Sequence, residues 1–176
     1  MFRGLFRFHV SAALLALVCT AAPLAQADSV LEPCVEAAAL KAAVERLNAL
    51  RHAGASCPSV AGEPRLLAWE ARLATSAYEQ AADLAERDLL SHVDARQRSL
   101  GTRLRSAGYA SASAGENLAA GQTDIDATLE AWLASPTHCA NLMQPDFSDV
   151  GLACVQRRGS RYERFWVAHL GAPVRR

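Results

Sequence analysis

Apolar residues recur at three- and four-residue spacing in the first half of the chain and alternate more loosely near its end. Between Cys34 and Ala53, Leu40, Val44, Leu47 and Leu50 fall on one face of a helix, because 3.6 residues per turn stack such positions. Gly54 closes that segment, and Arg51 and His52 in its last turn suit the negative end of the helix dipole. Pro58, Gly62 and Pro64 mark a loop over Ala55 to Pro64. A second, longer helix is predicted from Leu66 to about Leu90, with Leu66, Trp69, Leu73, Ala77, Ala81 and Leu84 as its buried stripe. A third runs from about Gln97 to Ser106 and stops at Gly108. Tyr109 to Ala114 reads as a loop of small residues. Asp124 suits the N-cap of a fourth helix, Ile125 to Ala134, which buries Ile125, Leu129 and Trp132 and ends at Pro136. Val150 to Val155 and Arg161 to Leu170, joined by a turn over Gln156 to Ser160 around Gly159, read as a hairpin. Helices first and strands last make an α+β fold, with helices packed on a small antiparallel sheet.

The N-terminus follows another logic. Arg3 and Arg7 precede an apolar run from Val10 to Val18, and Ala25-Gln26-Ala27 offers a small-residue cleavage site. These are the parts of a secretory signal peptide, so residues 1–27 are set aside and residues 28–176 are expected to form one exported domain, periplasmic or extracellular. The apolar run is shorter than a bilayer requires, and no transmembrane segment is predicted. The chain carries 18 basic and 18 acidic residues. Losing Arg3 and Arg7 tips the balance to slightly acidic, which argues against a nucleic-acid partner. Oligomeric state leaves no mark in the sequence.

Cys19 leaves with the leader, so Cys34, Cys57, Cys139 and Cys154 remain. An even number in an exported chain points to two disulfides. Of the three possible pairings the sequence-local one, Cys34–Cys57 with Cys139–Cys154, is expected. No C-x-x-C spacing supports a four-cysteine metal site.

The chemistry gathers in and around Gly115 to Leu142. Glu116 in Gly115-Glu116-Asn117 and His138 in Ser135-Pro136-Thr137-His138-Cys139-Ala140-Asn141 bracket this stretch, and His92 lies upstream. Two neutral imidazoles and a carboxylate can hold a divalent cation such as Zn²⁺ in a His₂Glu set with an open fourth position, which would activate water. The three come from separate segments, so their spacing carries no metal signature. Alternatively Glu116 accepts hydrogen bonds from His92 and backbone amides, with Asn117 satisfying a turn, and the group holds a cleft together. Ser91 and His92 are adjacent and point apart. Ser135 and His138 have no acid placed to orient the imidazole as a triad requires. Glu116 with Asp94, Asp146 or Asp149 could form a glycosidase pair, but nothing selects among them.

One ordered series of motifs adds to this: Leu47-Asn48-Ala49-Leu50-Arg51; a second helix with Leu66 to Ala85; Ser91-His92; Arg103 to Gly108-Tyr109; Gly115-Glu116-Asn117-Leu118-Ala119; Trp132 followed by Ser135-Pro136, His138 and Asn141-Leu142; and Val150-Gly151-Leu152-Ala153-Cys154. The series resembles the CAP superfamily (cysteine-rich secretory proteins, antigen 5 and pathogenesis-related 1 proteins), in its bacterial SCP-like form, over about residues 40–171. The resemblance implies an α-β-α sandwich and a cleft lined by His92, Glu116 and His138, with Asn117, Ser135 and Asn141 supporting it. The eukaryotic form has a final histidine before its last strand. Here Arg164-Phe165-Trp166-Val167 stands at that place, and the next histidine, His169, falls later, within the predicted strand. The resemblance also implies ligands such as sterols, other lipids or cell-envelope components. Two functions stay in view: a non-catalytic binding module, and a zinc-dependent hydrolase using the same trio. The first is favoured, because there is no helical zinc motif, no nucleophile with its base and no triad.

Overall fold

The computed structural model describes residues 30–54, 57, 60 and 62–174; the predicted signal peptide lies outside the described residues. The elements follow in the order β1 Leu31–Pro33, α1 Ala37–His52, β2 Ala68–Trp69, α2 Ala71–Arg87, α3 Leu100–Ser106, β3 Ser111–Ala120, α4 Ile125–Ala134, α5 Pro136–Met143, β4 Asp149–Arg157 and β5 Arg164–Pro173.

The strands form one sheet in the order β1-β4-β5-β3, with β2 joining β4 in parallel. The β4–β5 hairpin turns through Gly159, whose φ of 76° suits a residue without a Cβ. Alternation along the strands decides which layer each side chain enters. Val150, Leu152 and Cys154 of β4 and Trp166, Ala168 and Leu170 of β5 join α1, α4 and α5 in the larger core. Ala153 and Val155, with Phe165 and Val167, face Ala77, Ala81, Leu84 and Ala85 of α2. Both faces of the sheet are thus buried, and the layers run α-β-α.

The small residues of α2 let it lie unusually close to the sheet. A Cβ added at Gly151 would stand 2.1 Å from the backbone nitrogen of Ala74. On the other face, Arg51 is 1% exposed, and no acid among the described residues pairs with it. It donates instead to the carbonyls of Arg65, Leu142, Gln144 and Phe147, and so pins α1 to the chain between α5 and β4.

Several expectations are corrected. The second helix starts at Ala71, not Leu66: Leu66 is exposed and Trp69 sits in β2, because Glu70 caps the helix through the Arg72 amide. The supposed loop from Tyr109 to Ala114 is largely the start of β3, the strand that carries Gly115-Glu116-Asn117. Pro136 begins a helix as well as ending one, since it occupies the first turn of α5, where its missing N–H costs nothing. The cysteines pair as Cys34–Cys154 and Cys57–Cys139, not locally. The cause is topological. β1 runs antiparallel beside β4, which brings Cys34 and Cys154 to a Cα separation of 5.3 Å. Cys139 on α5 faces the loop after α1, with Cα atoms of that pair 5.7 Å apart.

Candidate functional site

The site is built on β3, the edge strand, where two side-chain layers meet. Glu116 stands opposite His169 in the β3–β5 register, and opposed residues of an antiparallel pair share a face. His169 Nε2 meets Glu116 Oε2 at 2.8 Å. Arg103, reaching down from α3, donates its Nη2 to the same oxygen. The second carboxylate oxygen, Oε1, is 2.7 Å from His92 Nδ1. Glu116, Arg103 and His169 are all buried, whereas the His92 side chain is 68% exposed.

His92 owes its position to carbonyl anchoring of its own loop. Gln80 donates to Ser91 O, Arg103 to His92 O and Arg87 to Val93 O, at 2.8, 2.9 and 2.9 Å. The loop therefore presents the imidazole from the α2–α3 side, and Leu89, Leu90 and Val93 in the same segment are exposed.

α5 closes on the same point from the other layer. Asn141 donates to the Glu116 carbonyl and to Asn117 Oδ1, and Asn117 donates to the His138 carbonyl. Trp132 of α4 donates to the Leu118 carbonyl, so side chains satisfy the outer edge of β3 where another strand would otherwise lie. His138 is half-buried and close enough to His92 to feel its charge. It makes no hydrogen bond to Glu116. Ser135 is the N-cap of α5 without a capping hydrogen bond from its side chain.

The electrostatics follow from these contacts. Burial alone would raise the Glu116 pKa, but hydrogen bonds from His169 and His92 and the charge beside it outweigh that and hold it at about 2. His169 is pushed down by burial, against the pull of Glu116. A neutral His169 donating through Nε2 leaves its buried Nδ1 as an acceptor without a partner among the described residues. Arg103 therefore supplies the positive charge that keeps Glu116 ionised. His92 is raised by its hydrogen bond to Glu116. His138 is lowered by partial burial, and secondarily by His92.

A His₂Glu metal set does not fit this geometry. Both oxygens of Glu116 are committed, one to His92 and the other to Arg103 and His169. A divalent cation there would also face the buried Arg103 guanidinium. Among the described residues no group of three or more His, Cys, Asp or Glu side chains is placed to hold a metal. The structure brings Glu116 and His92 into contact, and Asn117 and Asn141 into the frame around them. Two residues that the sequence reading did not place in the site, Arg103 and His169, complete it. The signal for His169 was the period-two pattern of β3 and β5, legible only once both are strands in register; Arg103, on α3, left none.

Residues 44–170 match the sequence profile described as the Cysteine-rich secretory protein family, CAP. The YkwD protein of Bacillus subtilis (strain 168) is 29% identical over 84 residues, which cover 48% of this chain and 33% of that relative; the chain thus spans about a third of its length. An extracellular protein of Bacillus anthracis containing an SCP domain superposes with a TM-score of 0.62 at 26% identity, over 74% of this chain and 39% of that one. An outer surface protein of Borrelia burgdorferi shares the fold, with a TM-score of 0.67 at 19% identity, over 79% and 96% of the two chains. Among the described residues no helix is long and apolar enough to cross a membrane. With the profile spanning most of the chain, from within α1 to within β5, the protein belongs to the CAP family.

Proposed function

We propose that the protein is an exported, non-catalytic CAP-domain binding module. The edge of β3 between His92 and His138 then forms the cleft that receives the polar head group of a cell-envelope lipid. The observation that carries this reading is the commitment of Glu116. With both oxygens engaged by His92, Arg103 and His169, the carboxylate holds the site together and does not stand free as a base or nucleophile. The imidazoles are what remain for a ligand.

Their surroundings support an amphiphile. His92 is exposed, is raised in pKa and therefore carries more positive charge near neutral pH than a free imidazole. Leu89, Leu90 and Val93 expose apolar surface in the same segment. A cation on a segment that also exposes aliphatic side chains suits an anionic head group with an apolar tail. Export rests on the basic, apolar and small-residue stretches before Asp28.

The test is co-sedimentation of the chain from Asp28 onward with vesicles of anionic or zwitterionic phospholipid. Binding to the anionic vesicles is expected, weakened several-fold by His92→Gln, by Leu90→Asp, and by raising the pH until His92 loses its proton. A protein that stays in the supernatant with both vesicle types overturns the reading.

A further inference from the structure

On the opposite edge of the sheet from β3, the pairing along β4 is interrupted. β2 holds the beginning of β4, with Glu70 N–H bonded to Val150 O at 2.9 Å. β1 holds its end, with Cys34 N–H bonded to Cys154 O at 3.1 Å. Both neighbours then turn away to start α2 and α1. Strand alternation points the N–H and C=O of Leu152 to that same edge, between Val150 and Cys154. The registers of β1 and β2 stop at Val155 and Val150, short of Leu152, and among the described residues neither group has a hydrogen-bond partner. A cavity of about 440 Å³ lies at this gap, with Leu152 in its floor, Val35 and Leu40 on one wall, Ala74 and Tyr78 on the other, and Trp69 at its end.

An unpaired N–H and C=O from one extended residue, side by side in apolar surroundings, call for one group that accepts and donates on the same side. A primary carboxamide does so. The molecule contains the same recognition elsewhere: Asn48 donates its Nδ2 to Leu67 O at 2.9 Å and accepts the Leu67 N–H at 2.7 Å through Oδ1. A whole strand cannot dock in the gap, because β1 and β2 already occupy the edge on either side. A carboxylate is disfavoured, since it has no proton for Leu152 O and would meet Glu36, which lines the cavity. We propose that this slot binds the primary carboxamide of a glutamine or asparagine side chain on a peptide ligand, its aliphatic stem lying between Leu40 and Tyr78.

The experiment is an NMR titration of the folded, disulfide-bonded chain, following backbone amides. The free protein should exchange the Leu152 amide hydrogen faster than those of Gly151 and Ala153, which face β5. The tripeptide Ala-Gln-Ala should shift the Leu152 amide resonance saturably, and Ala-Glu-Ala should bind at least tenfold more weakly. Ala37→Trp adds bulk at the exposed first residue of α1, in the cavity mouth, and should abolish the shift without changing the rest of the spectrum. His92→Gln, on the other edge, should leave it intact. A protected Leu152 amide in the free protein, equal binding of the two peptides, no shift with Ala-Gln-Ala, or an unaffected Ala37→Trp variant each overturns the proposal.

Discussion

Glu116 is the residue on which the site turns, and its arithmetic is that of a buried ion pair. Taking Glu116 and Arg103 out of water costs several kcal/mol per ion, which their mutual attraction and the histidine hydrogen bonds offset. Removing one partner leaves the other charged, buried and alone. Glu116→Ala should therefore destabilise the fold by about 3–5 kcal/mol, and the melting temperature should fall by roughly 10 °C. A Glu116→Leu, Arg103→Leu double variant should lose less than the sum of its single variants, because neither charge is then stranded. Thermal denaturation followed by circular dichroism reads both. A melting temperature unchanged by Glu116→Ala would show that Glu116 and Arg103 are not paired in a buried site.

At the scale of elements, close approach matters more than side-chain identity. The nearest neighbour of a Cβ at Gly151 would be backbone of α2, which has no rotamer to yield. Gly151→Ala should accordingly cost at or beyond the upper end of the ~1–3 kcal/mol usual for overpacking. Soluble yield and melting temperature measure this, and a variant as stable as the parent would mean that α2 does not press on β4 as described. The same elements show what the sequence made legible. The stripes of α1 and α2 announced themselves through Leu40, Val44, Leu47, Leu73, Ala77 and Leu84, all buried as expected. β3 hid because Ser111 to Ala120 is built largely from serine, alanine and glycine, without the β-branched and aromatic residues that mark strands. α5 hid behind Pro136, since a proline that ends one helix can equally begin another. Of the candidate site, His92, Glu116 and His138 were expected from their motifs, and the first two stand in contact at 2.7 Å. Arg103 and His169 were not expected, because what joins them to Glu116 is the β3–β5 register and the placement of α3 over it. The cysteine pairing failed for a related reason: sequence distance says nothing about which strand lies beside which.

Across the whole molecule, the cross-links and the buried histidine act on stability together but under different conditions. Cys34–Cys154 and Cys57–Cys139 span 120 and 82 residues. Loop-closure entropy gives roughly 4–5 kcal/mol for a closure of that length, against ~3 kcal/mol for a short one. Reduction should thus lower the melting temperature steeply, and an unchanged value in reductant would rule out this contribution.

The pH dependence has opposing parts. His169 and His138 titrate below the free imidazole in the folded state. Below about pH 6.5 the unfolded chain takes up protons that the folded one refuses, so their contribution is present above that value and lost as the pH falls. Glu116, held at about 2, acts in the same direction further into acid, where its contribution fades between the ordinary carboxylate value and about 2. His92 opposes them: its raised pKa gives stability that is full below about pH 6.5 and lost as the pH rises through its folded value. The stability curve should therefore change little around neutrality and fall in two stages in acid. His169→Gln separates the stages, because the glutamine amide can donate to Glu116 as Nε2 does, yet has no proton to gain. That variant should lose much of the decline that begins near pH 6.5 and keep the one below about pH 4.5. Urea unfolding across this range measures it, and an unaltered upper stage would mean that His169 accepts a proton in the folded core and is not the buried neutral partner of Glu116.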